Sequence, residues 1–177
     1  MSLEHVAQAM ERVAAVLRKR PSAAMKDDAP ATASWQGGVR VTASHPAGAQ
    51  VTTDLPPELG GAGSGVPPGW LVRAAAASCA VTRIVMSAAA QGIALERVEA
   101  TMGSRSDLRG LLGVPGEDGA DVSPAPFDLR LQVHVAAPGV PRDTLEALVA
   151  NSCRHSPVNA ALETALPIRV ELVTTPS

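Results

Sequence analysis

The segment that most constrains the fold is a long alanine-rich stretch, residues 69–91, that is apolar on nearly every helical face. Such a helix must be enclosed by protein, because a helix at a surface keeps one polar side. The small residues at 74–80 let another backbone approach closely. We therefore expect a central helix, ended by Gly92, that a second helix or a partner subunit crosses near Cys79.

Composition sets the kind of core that can surround this helix. A chain of 177 residues is long enough for one domain with a real hydrophobic core. Hydrophobic residues make up 46% of it, yet it has two Trp, one Phe and no Tyr, so Ala, Val and Leu must build the core. A formal charge of -2 gives no reason to expect a nucleic acid or an acidic membrane as partner.

The charged N-terminal residues and the low number of cysteines indicate a reducing compartment. No stretch approaches the ~20 consecutive apolar residues that a membrane span needs. Glu4, Glu11 and Arg12 lie where a signal peptide would be apolar, so we expect a cytoplasmic protein. Two cysteines do not make a disulfide scaffold and are expected to be thiols. The two Cys and four His lack metal-ligand spacing, so we expect neither a metal nor a cofactor.

The N-terminal segment is predicted to be an amphipathic helix over residues 3–20, followed by a Pro-rich and Ala-rich linker. Its apolar stripe has the spacings of three and four that one helical face requires: Leu3, Val6, Met10, Val13 and Leu17. We expect it to dock on the body of the protein or on a second subunit, because its opposite face is not basic enough for a membrane surface. The predicted boundary separates residues 1–31 from a main domain at 32–177.

Turn residues and period-two patterns predict six strands in the main domain. These cover residues 33–35, 39–42, 50–54, 98–102, 127–135 and 168–172, and a second long helix covers 142–164 with a kink or restart at Pro157. Residues 103–126 are predicted to be a long loop. The many sequence-adjacent strands favour an α+β fold with an antiparallel or mixed sheet packed on two helices. The glycine-rich stretch at 56–68 is not expected to bind nucleotide, because no Gly-Lys-Ser/Thr sequence follows it.

Cys79 is the most plausible reactive atom of the chain. A cysteine in mid-helix is by default a small buried hydrophobe. Arg83, however, lies four residues on and on the same face, where a guanidinium favours the thiolate. The kinked helix, which contains Cys153, His155 and Ser156, is expected to meet the central helix. His155 can orient a thiol, although a lone His beside a proline kink is more often a helix-terminal or surface residue.

Several motifs together resemble the OsmC/Ohr family, the osmotically inducible and organic-hydroperoxide-resistance proteins. The resemblance spans about residues 35–173, and leaves the N-terminal helix outside. The motifs are Gly60-Gly61-Ala62-Gly63, a Pro-rich entry into an Ala-rich helix with Ala77-Ser78-Cys79, the run Gly92-Ile93-Ala94-Leu95-Glu96-Arg97-Val98-Glu99, and Arg154-His155-Ser156-Pro157-Val158 at the place of the family's Cys-Pro-Val.

The resemblance implies an intertwined homodimer in which sheets from both subunits wrap two central helices, with active sites at the interface. Members of the family reduce organic hydroperoxides. One cysteine thiolate becomes a sulfenic acid, and a second cysteine resolves it as a disulfide. Cys79 matches the first cysteine, and Arg40 corresponds to the arginine on an early strand.

The sequence departs from this pattern at two positions. Ser156 stands where the resolving cysteine is expected and forms no disulfide, which predicts a subgroup with Ser in the Cys-Pro-Val motif. Gly69 stands where the family has a glutamate that orients its arginine. Cys153 is one turn before Ser156, a displacement of ~4.5 Å along the axis. It is a candidate substitute, although a disulfide needs Cβ atoms about 3.5 to 4.5 Å apart.

Three hypotheses follow. The first is a thiol protein that reduces organic hydroperoxides through Cys79, with an external or non-standard resolving thiol and with Trp70, Arg83 and His155 in the pocket. The second is a non-catalytic dimeric protein that binds an apolar small molecule and has lost redox turnover. Acyl chemistry at Ser156 is the third, and it is disfavoured because no acid supports the serine.

Overall fold

Five α-helices and five strands lie within residues 2–164 and 166–174, the part of the chain that the computed structural model describes. The helices are α1 (Leu3–Lys19), α2 (Pro68–Ala90), α3 (Leu108–Leu112), α4 (Arg142–Arg154) and α5 (Pro157–Glu163). The strands are β1 (Thr32–Trp35), β2 (Val41–Ser44), β3 (Gln50–Thr53), β4 (Arg97–Arg105) and β5 (Phe127–Ala136). Short 3₁₀ turns occupy Pro21–Ala24 and Pro57–Leu59.

The strands form two separate antiparallel sheets. β1, β2 and β3 make a three-stranded meander, and β4 pairs with β5 in a two-stranded sheet. The first hairpin turns at Gly37 and Gly38, whose φ angles of 96° and 56° suit glycine. In β4 the half-buried residues alternate with exposed ones along the whole strand. The predicted antiparallel α+β architecture is confirmed.

The core lies between α2, α4 and the β4–β5 sheet. Ala76, Ala80, Ile84 and Ala88 recur every four residues along one face of α2 and are fully buried. Ile84 and Ala88 cluster with Leu148 of α4. Further apolar side chains pack against this cluster from α4 itself, from the β4–β5 sheet and from the loop after α2: Ile93, Leu95, Val98, Val133, Leu145 and Val149.

Helix α2 is central, as predicted, since it contacts α1, β4, α4 and α5. By length and composition alone it is able to cross a membrane, but these contacts are those of a core helix. One chain does not enclose it, however. Trp70 and Val72 near its start are 45% and 40% exposed. The expectation of burial on every face therefore does not hold within a single chain.

Helix α1 docks on the body of the protein, as expected, because it contacts α2. Its predicted apolar stripe is wrong at one position, since Val13 is 58% exposed, and none of its residues is fully buried. The 1–31 and 32–177 division stays a prediction.

Three local predictions need correction. Residues 168–172 form no strand, and Ile168, Val170 and Leu172 are 87 to 88% exposed. An alternating segment becomes a strand only when it pairs with a strand edge, and in the described chain this segment pairs with neither sheet. Phe127 and Leu129, predicted to face the core, are 46% and 39% exposed. The loop predicted at 103–126 is shorter, because β4 extends to Arg105 and α3 follows.

Candidate active site

Cys79 lies in the middle of α2 and is half-buried. It directly precedes the fully buried Ala80, so its sulfur lies at the edge of the packed face of the helix. Neither Cys79 nor Cys153 forms a disulfide. Cys79 is thus a free thiol on the helix around which the domain is built.

Arg83 lies one helical turn beyond Cys79 and is also half-buried. Its Nη1 donates a weak hydrogen bond to the sulfur of Met86 at 3.7 Å. Its Nε is buried, and in the described part of the chain it has no hydrogen-bond partner. Because the guanidinium pairs with no carboxylate there, it keeps donor capacity beside the cysteine.

The kinked element meets α2 as predicted, since α4 and α5 both contact this helix. Pro157 restarts the chain as the first residue of α5, and Ser156 caps that helix. The Ser156 side chain is fully buried, and its Oγ accepts a hydrogen bond from the backbone N–H of Asn159 at 3.5 Å. The structure thus gives Ser156 a helix-capping contact.

Cys153 and His155 occupy the end of α4. Burial raises the pKa of the Cys153 thiol, and the carboxylate of Glu163 raises this pKa further. Less of this thiol is therefore in the reactive thiolate form. His155 is exposed, and its Nδ1 lies 2.8 Å from the carbonyl oxygen of Asn151, so it interacts with the end of its own helix.

Arg40, which the sequence placed in a strand at 39–42, directly precedes β2 and belongs to a different cluster. Its Nη2 donates to Ser64 Oγ at 2.8 Å, and that hydroxyl donates to Asp54 Oδ2 at 2.7 Å. Asp54 is 3% exposed. No hydrogen bond of the described residues links Arg40 to Cys79.

Asp54 is a residue that the sequence analysis missed. Besides the Ser64 hydroxyl it accepts backbone N–H groups from Leu55, Ala62 and Ser64 at 2.9 to 3.2 Å. These bonds, those from Ser64 first, lower the pKa of Asp54 to about 2. A usable signal was present: an acidic residue at a strand end, directly before a glycine-rich loop, is suited to collect the N–H groups of that loop.

Gly69 and Trp70 lie in the first turn of α2. A Cβ placed at Gly69 would come 3.8 Å from Nη1 of Arg73, which itself donates to Ser104 Oγ at 3.2 Å. Because residue 69 is a glycine, α2 has no carboxylate at this position to orient Arg40. Trp70, a predicted pocket residue, is partly open to solvent within one chain.

Two buried polar atoms lie on contacting helices without partners in the described chain: Arg83 Nε on α2 and Asn159 Oδ1 on α5. Buried polar groups nearly always find a partner in protein, water or a ligand. Among the same residues no group of three His, Cys, Asp or Glu side chains is placed to hold a metal ion.

A family model described as OsmC-like protein matches residues 61–171, which is more than half of the chain. The chain belongs to the OsmC-like protein family. The matched segment contains α2 with Cys79, and it also contains Ser156 at the junction of α4 and α5. Membership confirms the family resemblance, whereas the subgroup with Ser in the Cys-Pro-Val motif stays a prediction.

Solved structures of the same fold support this assignment. An OsmC-like protein from Mycoplasma pneumoniae has a TM-score of 0.65 and 15% identity, over 80% of this chain and 91% of its own. The organic hydroperoxide resistance protein OsmC from Legionella pneumophila has a TM-score of 0.55 and 26% identity, over 77% and 91%. The organic hydroperoxide resistance protein OhrB of Bacillus subtilis has a TM-score of 0.51 and 20% identity, over 78% and 93%. A comparison with curated proteins gives no significant match.

Proposed function

We propose that this OsmC-like protein reduces organic hydroperoxides through Cys79 and is regenerated by an external thiol. One observation carries the proposal: Cys79 is a free, partly accessible thiol on the central helix of the family-matched segment. The neighbouring Arg83 has an unpaired Nε in the described chain. Relatives named for organic hydroperoxide resistance share the fold, which supports this substrate class.

The first step is a two-electron oxidation of sulfur. The Cys79 thiolate attacks the outer oxygen of the hydroperoxide, an S–O bond forms and the O–O bond breaks. The alkoxide that leaves takes a proton from solvent and becomes an alcohol. Cys79 is then a sulfenic acid. A cation near the sulfur favours both the thiolate and the departing alkoxide, and Arg83 is the nearest candidate along the helix.

The second step needs a reductant from outside the chain. Ser156 has no sulfur, and the raised pKa of Cys153 makes it a poor attacking thiolate near neutral pH. An external thiol therefore attacks the sulfur of the sulfenic acid, with release of water, and forms a mixed disulfide. A second external thiol then displaces Cys79 as a thiol and leaves as the oxidised disulfide. Such thiols are abundant in the cytoplasm, where we place the protein.

We further propose that the working unit is a homodimer. The free edges of both sheets and the open side of α2 are features that a second copy can cover. The alternating apolar residues at 168–172 stand exposed and unpaired in the described chain. A two-stranded sheet such as β4–β5 is also marginal on its own. An interface between subunits is where residues that no hydrogen bond links within the described chain, such as Arg40 and Cys79, can meet.

Turnover measurements test the proposed function. Consumption of cumene hydroperoxide with a dithiol reductant is measured for the wild type, Cys79→Ser and Cys153→Ser. We expect Cys79→Ser to be inactive and Cys153→Ser to keep most of the activity, because resolution uses the external thiol. Equal loss in both variants would show that Cys153 takes part in the cycle. Wild-type protein with no activity above the Cys79→Ser background would contradict the proposal.

A second candidate function is a non-catalytic dimeric protein that binds an apolar small molecule. It is favoured by the capping contact of Ser156 and by the absence of a side chain at Gly69, since both positions depart from the redox pattern. In that case Cys79 only fills space in the helix packing and does not react with hydroperoxides. Unchanged calorimetric binding of a hydrophobic probe by Cys79→Ser, together with no peroxide turnover, would favour this function over the first.

A further inference from the structure

We propose that Asp54 and Ser64 are positioning residues for Arg40, with the buried carboxylate orienting the Ser64 hydroxyl and the hydroxyl holding the guanidinium. The catalytic consequence of this inference rests on the proposed function, with Arg40 brought to Cys79 across the proposed subunit interface as a second cation beside Arg83. The hydrogen-bonded chain itself is a property of the fold and is tested separately.

The direction of the hydrogen bonds is fixed by chemistry. An ionised carboxylate only accepts, so the Ser64 hydroxyl must donate its single proton to Asp54 Oδ2, at 2.7 Å. The lone pairs of the same hydroxyl oxygen are then free to accept from Arg40 Nη2, at 2.8 Å. Without the carboxylate the hydroxyl would be free to rotate, and its proton would face the guanidinium in some rotamers.

The glycine-rich loop is shaped to enclose this carboxylate. A Cβ at Gly61 would lie 1.8 Å from the carbonyl oxygen of Leu55 and 2.8 Å from Asp54 Oδ1. A Cβ at Gly65 would lie 2.6 Å from the carbonyl oxygen of Thr52. Only glycine permits this close approach of the loop to the end of β3. Gly61 and Gly65 thus close the chain around a buried anion of the protein itself.

The carboxylate also stays charged under working conditions. Four hydrogen bonds to Asp54 hold its pKa at about 2, so it is ionised throughout the neutral range. Proton uptake at this site therefore does not switch the orientation of Ser64 near pH 7. Asp54 and Ser64 therefore hold Arg40 in the same way throughout the neutral pH range.

Among the described residues, Arg40 donates a side-chain hydrogen bond from Nη2 alone, and its other guanidinium N–H groups have no partner there. Its side chain lies beside a cavity of about 300 Å³ lined partly by residues 36–40 and by the glycine-rich loop. Since Gly69 brings no carboxylate from α2, the support for Arg40 comes from the end of β3 instead. A guanidinium held on one side by Ser64 can direct its remaining N–H groups towards the oxygens of a hydroperoxide.

A double-mutant cycle tests whether Ser64 acts through Arg40. The rate constant for oxidation of Cys79 by cumene hydroperoxide is measured in single turnover for Arg40→Ala, Ser64→Ala and the double variant. We expect Ser64→Ala to slow oxidation of Cys79 about tenfold in the wild-type background. In the Arg40→Ala background the same substitution should have little effect on this rate. In Ser64→Thr, which keeps the hydroxyl, Cys79 should be oxidised at close to the wild-type rate. An equal effect of Ser64→Ala in both backgrounds would overturn the inference.

A second measurement does not depend on turnover. The ¹⁵Nε–H NMR signal of the Arg40 guanidinium reports its order and its exchange with water. We expect Ser64→Ala to shift this signal and increase its mobility, and Ser64→Thr to retain it, with all variants folded because the Ser64 backbone N–H still binds Asp54. An unchanged signal in Ser64→Ala would overturn the inference. A changed signal in a protein that never reacts with peroxide would support it while contradicting the proposed function.

Discussion

Ile84 of α2 packs against Leu148 of α4, and the two are 0% and 2% exposed. This contact joins the cysteine helix to the helix that leads into the Ser156 turn. Helix α2 also contacts β4, and α4 contacts α5, which begins directly after Ser156. The position of Cys79 relative to Ser156 therefore depends on how Ile84 packs against Leu148.

Leu148→Ala is expected to destabilise the protein by about 2 to 5 kcal/mol, because it removes buried methyl groups and leaves a cavity at a closed site. Leu148→Met keeps the side-chain volume and should cost less than about 1.5 kcal/mol. Urea unfolding followed by circular dichroism measures both. Equal losses for the two variants would mean that volume at this position is not what stabilises the core.

Ser156→Cys tests whether the family position still faces Cys79. We expect one equivalent of hydroperoxide to consume two thiols in this variant and to form a disulfide between Cys79 and the introduced cysteine, which mass spectrometry under non-reducing conditions detects. The helix cap is weakened, and stability should fall by about 1 kcal/mol. Ser156→Ala is the matched control, since it loses the cap without gaining a thiol. A persistent sulfenic acid in Ser156→Cys would contradict the predicted proximity.

The raised pKa of Cys153 predicts slow alkylation. In a Cys79→Ser background, the rate of Cys153 alkylation by iodoacetamide should rise with pH and reach its midpoint above that of a free cysteine, because burial and Glu163 disfavour the thiolate. Glu163→Gln removes the negative charge and should move the midpoint to lower pH. A midpoint unaffected by Glu163→Gln would show that burial alone raises the pKa.

Asp54 should make stability depend on pH in the acid range. Its pKa is about 2 in the folded chain against an ordinary value of 3.8, so the unfolded chain takes up the proton first as the pH falls. The stabilisation is therefore present above about pH 4 and is lost as the pH falls towards 2. The difference in melting temperature between wild type and Asp54→Asn should narrow over this range. A constant difference from pH 6 to pH 2 would contradict this role of the carboxylate.

The proposed dimer depends on the alternating C-terminal segment. Val170→Lys places a charge on its apolar face and should shift sedimentation towards the monomer, whereas Arg169→Gln on the opposite face should leave the dimer intact. A dimer unaffected by Val170→Lys would exclude this face of the segment from the interface.

Much of the fold could be predicted from local signals. Glycines at 37 and 38 mark the first hairpin, Pro157 marks the restart of a helix, and the alanine-rich run marks α2. Each of these depends on backbone geometry or on periodicity within a few residues. Cys79 and Arg83 could be paired in the same way, because they lie one helical turn apart.

The features that were missed depend on contacts between distant segments. Asp54 is buried only because a loop ten residues later closes over it. Arg40 reaches Ser64 across 24 positions of sequence. The segment 168–172 has the pattern of a strand, but a strand forms only when it pairs with an edge, and in the described chain this segment pairs with none. Neither composition nor periodicity reports such pairings.

Trapping of the oxidised sulfur tests the central claim most directly. Reduced protein is treated with one equivalent of cumene hydroperoxide in the presence of dimedone, and the modified peptide is identified by mass spectrometry. We expect a dimedone adduct on Cys79 at high occupancy, with Cys153 unmodified and one equivalent of cumyl alcohol formed. A folded protein whose Cys79 stays a free thiol under excess hydroperoxide would contradict the account.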